Sequence, residues 1–409
     1  MFLGYDSAQG DAGLSNFGWS YLSRNALRRA ERQLSGAGEG VRDEIGFLIL
    51  HQRYADYFFP GTSVLHTRLR YALFVPWIYQ TLFDEAATGR VAERLARQEV
   101  RLAGRLKQAK ERGVIGGLNH PWPTTQPPSV SYWAALGTWG ILRQQDGRTP
   151  SRAQLHAILQ RKQRKAFDDD GQALQRAELP FAALPSRPEG WERSGPLSFD
   201  LAPREAEFLH RQFVDLRPAT RPAHLSVLAQ LAAGGRVLAD TCYAPGIAEL
   251  AKDDAAKLRR AGYAAALAAV GRGVYAALVE TLREEEDGQP TSKIHRGHLP
   301  RVLDEYGTDA ARLDLPELIE DVGTLPSAVT EALDSTLQWV KDGGRNVMAL
   351  RDVYERAECA RKTQRARLSR ITGASRRLDW NNEEHTPAEP LHFRWNVVQR
   401  LLGDLWAAA

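Results

Sequence analysis

The stretch Tyr263–Leu282 constrains this chain more than any other. It is an alanine-rich apolar run, long enough to cross a bilayer, with Arg272 near its middle. Alanine is only weakly lipophilic and a mid-span arginine is costly in hydrocarbon. The run is therefore expected to be a helix buried in protein, its small side chains admitting close neighbours. Residues 1–18 lack the basic start and apolar core of a secretory leader. The expected location is the cytoplasm, with no membrane partner.

The rest of the composition fits a globular body. Of the 409 residues, 43% are hydrophobic and 25% charged, near the average for soluble domains. Disordered, collagen-like and fibrous chains are excluded. Cys242 and Cys359 are the only cysteines. They cannot make a disulfide framework or a cysteine zinc site, and they suggest a reducing compartment. The net charge is +4, from 54 basic and 50 acidic residues.

Helical spacing dominates the chain, and sustained alternation is scarce. Helices are expected over 24–34, 41–58, 65–82, 88–111, 129–138, 151–167, 203–214, 222–233, 246–261, 263–286, 309–312, 315–320, 327–340, 346–369 and 395–406. Pro76 should kink or split the third of these. The fold class is mainly α, multi-helix, with a small winged-helix-like unit expected near 95–145 and few short strands. The division expected is an N-terminal helical domain (1–167), an irregular Pro-rich connection (168–203) and a C-terminal helical domain with a basic region (204–409).

Several chemistries leave no trace. There is no P-loop, no dinucleotide-binding glycine motif after a strand, no serine-hydrolase elbow and no H-E-x-x-H. Neither Glu-x-Lys nor His-x-Lys occurs, which removes two common nuclease signatures. No catalytic residue, metal ligand or cofactor is assigned. His295-Arg296-Gly297-His298 would share a metal on a helix, but Gly297 and Pro300 argue for a loop of solvated histidines. His120, between Asn119 and Pro121, reads as packed in a turn. Cys242 reads as a small buried hydrophobe.

Three features carry more. Arg68 and Arg70 lie in an otherwise apolar segment after Pro60-Gly61. An unpaired buried charge is expensive, so they pair with acids such as Asp43, Glu44 or Asp56, or face an anionic ligand. Residues 128–142 carry Tyr132, Trp133 and Trp139. In a winged-helix unit Ser129, Ser131 and Tyr132 would reach phosphates or bases; otherwise these aromatics are core. The clearest charge feature is Arg361, Lys362, Arg365, Arg367, Arg370, Arg376 and Arg377, with no acid between Glu358 and Asp379. Followed by Trp380 and Trp395, this run suits a phosphate backbone and stacked bases. The alternative is that it meets the acidic segments Glu284–Asp287 or Glu317–Asp321, in this chain or in a partner.

Several segments together resemble one family. They are Phe17-Gly18-Trp19, Phe59-Pro60-Gly61-Thr62-Ser63, Thr67-Arg68-Leu69-Arg70-Tyr71 and Phe74-Val75-Pro76-Trp77-Ile78-Tyr79. Gly113-Val114-Ile115-Gly116, Ser129-Val130-Ser131-Tyr132-Trp133 and Trp139-Gly140-Ile141 continue the pattern. The chain is similar to an uncharacterised bacterial domain-of-unknown-function family over most of its length, and Leu391–Trp406 resembles that family's ending. The resemblance implies no activity and no functional residues. It implies a link to antiviral defence gene clusters. The expected function is a non-enzymatic accessory or scaffold protein of a bacterial defence assembly, binding nucleic acid, partner proteins or both. A metal-dependent nuclease or other hydrolase with a site assembled from distant residues, and a pure protein–protein scaffold, are the alternatives.

Overall fold

The computed structural model describes residues 44–85, 90–163, 178–236, 239–380 and 388–408. The helix expected at 24–34 lies outside them. The chain from Glu44 onward forms one compact unit, and it is mainly helical.

In chain order its helices are α1 (Leu48–Phe58), α2 (Tyr71–Asp84), α3 (Val91–Gln108), α4 (Pro128–Ser131), α5 (Trp133–Thr138), α6 (Arg152–Gln163), α7 (Pro203–Val214) and α8 (Val227–Gly234). They continue with α9 (Pro245–Leu250), α10 (Ala255–Glu285), α11 (Ile294–Ala311), α12 (Leu315–Val322), α13 (Ser327–Lys341), α14 (Arg351–Lys362), α15 (Gly373–Leu378) and α16 (Trp395–Trp406). Among the described residues there are no extended strands, only the isolated bridges Leu142↔Phe181 and Gln145↔Arg148.

The alanine-rich run is the axis of the unit. By length and apolarity α10 would pass as a membrane span, yet 83% of its most apolar window is buried inside the protein. Small residues make that possible. A Cβ on Gly271 would lie 2.3 Å from the Phe47 ring, so the aromatic ring packs directly on the helix backbone. Arg272, the residue that argued against lipid, donates to the Glu389 carbonyl at 3.1 Å. The most extensive helix–helix packing is between α10 and α11.

Two expectations are corrected and one is narrowed. The helices expected at 246–261 and 263–286 are a short α9 and then one continuous α10, because Gly262 does not end it. Tyr243 packs where a Gly262 side chain would stand, its ring atoms 3.0 Å away from that position. Of the kink or split expected at Pro76, the split does not occur, because the residue lies inside a continuous α2. The proline removes one backbone donor, and the fully buried neighbours Phe74, Val75 and Trp77 hold the helix together. The winged-helix unit near 95–145 is not found. After α5 the described residues make only the isolated bridges Leu142↔Phe181 and Gln145↔Arg148 instead of a two-stranded wing. Ser129, Ser131 and Tyr132 are buried, so none of them faces a nucleic acid.

Candidate nucleic-acid interface

The C-terminal basic run is folded around carboxylates. Glu358, fully buried on α14, accepts from the Tyr275 hydroxyl at 2.7 Å, the Leu368 N–H at 2.9 Å and Lys362 Nζ at 3.2 Å. Arg377 is 2% exposed. It forks onto Asp287 with both bonds at 2.6 Å and donates to the Arg367 carbonyl at 2.7 Å. Arg370 reaches Asp352 at 2.5 Å and Glu355 at 3.2 Å. Arg376 donates to the Gln364 carbonyl, and Arg367 is half-buried. Arg361 and Arg365 are exposed. The acidic segment Glu284–Asp287 thus neutralises part of the run from within the chain, while Glu317 and Asp321 pair with Arg260.

Arg68 and Arg70 both pair, but with acids far away in sequence. Arg68 Nε binds Asp404 of α16 at 2.9 Å, and its Nη1 reaches Glu111 at 3.4 Å. Arg70 binds Glu205 of α7 at 2.7 Å and the Ser198 carbonyl at 2.9 Å. Beside them Tyr132 holds the turn, accepting from the Thr67 and Arg68 N–H groups and donating to the Arg68 carbonyl at 2.7 Å. Burial pushes the His66 imidazole down to about 4, so it is neutral in its stack against Tyr132.

The histidine motif is helical. Glu280, fully buried on α10, accepts from the N–H groups of His295 and Arg296 at 2.9 and 2.6 Å. It thereby starts α11 ahead of Gly297 and Pro300. A carboxylate at a helix N-terminus satisfies donors that have no partner in the helix itself. His295 is buried beside Trp380. Among the described residues no three His, Cys, Asp or Glu side chains converge to hold a metal. Cys242 is fully buried and its thiol is pushed up by burial, which disfavours the reactive thiolate.

The open cationic surface lies on α3. Val91, Leu95, Leu102 and Leu106 turn inward, and two arginines turn inward with them. Arg94 pairs with Glu85 at 2.8 Å. Arg105 donates to the carbonyls of Gly195, Trp191 and Gly190 at 2.6, 2.6 and 2.8 Å. The opposite face and the turn after it expose Arg97, Arg101, Lys107, Lys110 and Arg112. Arg101 donates to the carbonyls of Glu192 and Arg193. Among the described residues, Arg97, Lys107, Lys110 and Arg112 form no side-chain bond or ion pair. From Arg97 to Arg112 no exposed carboxylate interrupts them: Glu99 is buried, and Glu111 is half-buried, engaged by Arg68 and the Phe199 N–H.

Beside this face runs a mostly apolar slot of about 360 Å³, open mouth included. Ala96, Val100 and Ala103 of α3 form one wall, and His120, Trp122 and Pro123 form the other. The loop comes close because Gly104 has no side chain: a Cβ there would lie 2.6 Å from His120 Nε2. Trp122 is 74% exposed and Leu118 87% exposed. His120 is therefore a packed turn residue, and the nearby Trp122 carries the exposed aromatic ring.

Glu99 lines the slot and accepts from the Ser129 N–H at 2.8 Å. Burial pushes its carboxyl up, against the opposing pull of that hydrogen bond. A raised folded value means the native state holds the proton more tightly than the unfolded chain does. The stabilisation is complete below the ordinary glutamate range, about pH 4, and is lost as pH rises through the folded value. Glu99→Gln keeps the acceptor without the charge. Its melting temperature relative to the parent chain should climb as pH is raised from about 4 to neutrality; a pH-independent difference would refute this.

The signal for α3 was present in the sequence as an arginine-rich helix. What sequence spacing does not show is that the acids among those cations are withdrawn from the surface, and that an exposed tryptophan from the following loop stands beside it. The chain matches no curated protein and no solved structure. Residues 14–296 match the model of a family of unknown function (DUF6361). That span contains α3, the slot and the whole of α10, so on the larger part of its length the chain belongs to this family of unknown function.

Proposed function

We propose that this protein binds nucleic acid through the outer face of α3 and the turn that follows it. The carrying observation is the set Arg97, Lys107, Lys110 and Arg112: exposed, without ion pairs among the described residues, and with no exposed carboxylate between them in sequence. Cations that have no internal partner keep their full capacity to replace counterions on a phosphate backbone. Part of the 361–377 run has already committed that capacity to Glu358, Asp287 and Asp352. Arg365 is a further exposed cation elsewhere on the unit.

The test is fluorescence anisotropy with labelled oligonucleotides across a salt series. Binding should weaken steeply with salt. The triple variant Lys107→Glu, Lys110→Glu, Arg112→Glu should reduce the slope of log K against log salt by about 0.7 for each phosphate of a single strand that is no longer neutralised. Undetectable binding at low salt, or a slope unchanged by the triple variant, would reject this reading.

A second reading, a protein–protein scaffold, is favoured by one observation. Ile371 is 93% exposed and Leu378 60% exposed, with exposed Arg376 between them in sequence. Apolar residues at this exposure suit a protein contact. Loss of co-purifying proteins on Ile371→Asp, with nucleic-acid binding retained, would support it.

A further inference from the structure

Phosphates bound on α3 would leave the slot beside it unused. We infer that Trp122 is a stacking platform for an unpaired base, so that the preferred ligand is single-stranded nucleic acid and not a duplex. This rests on the proposed nucleic-acid function and narrows it to one substrate class.

Trp122 is 74% exposed and makes no ring contact with any described residue. A tryptophan held in water has a cost that packing elsewhere in the fold does not recover. The loop that carries it is nonetheless fixed. Its Ile115 N–H donates to the buried Tyr71 hydroxyl at 2.9 Å, and the Trp122 N–H donates to the Asn119 carbonyl at 2.8 Å. Pro121, Pro123, Pro127 and Pro128 restrict its backbone. A rigid aromatic side chain binds with little ordering cost.

The position of the ring matters as much as its exposure. The slot wall on α3 is the stripe Ala96, Val100 and Ala103. Helical spacing puts Lys107 on that same stripe, one turn further on. Arg97 stands next to its other end. A strand whose phosphates follow these cations brings its bases toward the slot mouth. An apolar surface with an exposed indole and flanking cations is what a base and its phosphate require together. A duplex keeps its bases stacked inside and has no use for the ring.

Trp122→Ala is tested with a labelled oligothymidylate and with a duplex of equal length. The exposure of the residue leaves the fold intact, which circular dichroism can verify. The parent chain should prefer the single strand. Trp122→Ala should weaken single-strand binding roughly 5- to 150-fold and leave duplex binding unchanged, and Trp122→Phe should restore most of the loss. Equal single-strand affinity in Trp122→Ala, or a parent chain that favours duplex, would overturn the platform. In that case salt-dependent binding through α3 still stands. No binding to either probe at low salt rejects both.

Discussion

Replacing Arg70 with methionine should cost about 3–5 kcal/mol of unfolding free energy, measured by denaturant titration. Arg70 Nη2 binds Glu205 at 2.7 Å with both side chains almost fully buried, 7% and 4% exposed. Its Nη1 also satisfies the Ser198 carbonyl. Methionine would fill much of the volume, but Glu205 would keep its charge in a dry site. Glu205 is also tied to the start of α7, where its other oxygen accepts from the Ala202 N–H at 3.2 Å. Arg70→Met with Glu205→Gln should therefore recover a substantial part of the loss, because the stranded charge is the main penalty. A single variant with parental stability would show that the pair is not buried as described.

The second large effect is expected at Glu358. Its carboxylate collects a tyrosine hydroxyl, a backbone N–H and a lysine. Glu358→Ala leaves the buried Tyr275 hydroxyl and Leu368 N–H without an acceptor, while the half-buried Lys362 can turn to water. At roughly 1–3 kcal/mol for each stranded buried donor, the loss should be severe, about 3–5 kcal/mol. Because Leu368 N–H anchors the segment carrying Arg365, Arg367 and Arg370, the variant should also open 362–378 to proteolysis before the rest of the chain unfolds. Glu358→Gln, still able to accept from Leu368, should lose less. Uniform cleavage across the chain would show that Glu358 does not hold this segment in particular.

Glu358 bears on how the basic run is understood. In sequence the stretch from Lys362 to Arg377 shows no acid, and an open cationic face is the natural expectation. The acids that meet it come from elsewhere: Glu358 and Asp352 from α14, Asp287 from the end of α10. Arg377, the most buried of the run, pairs with a carboxylate 90 positions earlier. Arg68 and Asp404 are 336 positions apart. Charge pairing across such separations leaves no local pattern, since it depends on which helix ends arrive together.

What the sequence determined by itself is the helical character and the reason for it. Periodic apolar residues mark 203–214 and 395–406 with the bounds observed for α7 and α16. The alanine and glycine content of 263–282 marks a helix that other elements approach closely, as Phe47 does at Gly271. These are short-range properties of the chain, set by side-chain size and spacing. Which arginines remain available to a ligand was decided only by the tertiary structure. On α3 the fold sends Arg94 and Arg105 inward and leaves Arg97 and Lys107 in water, and it brings Trp122 to the same side. Free charge is what remains after all internal partners have been met, and that sum is taken over the whole fold.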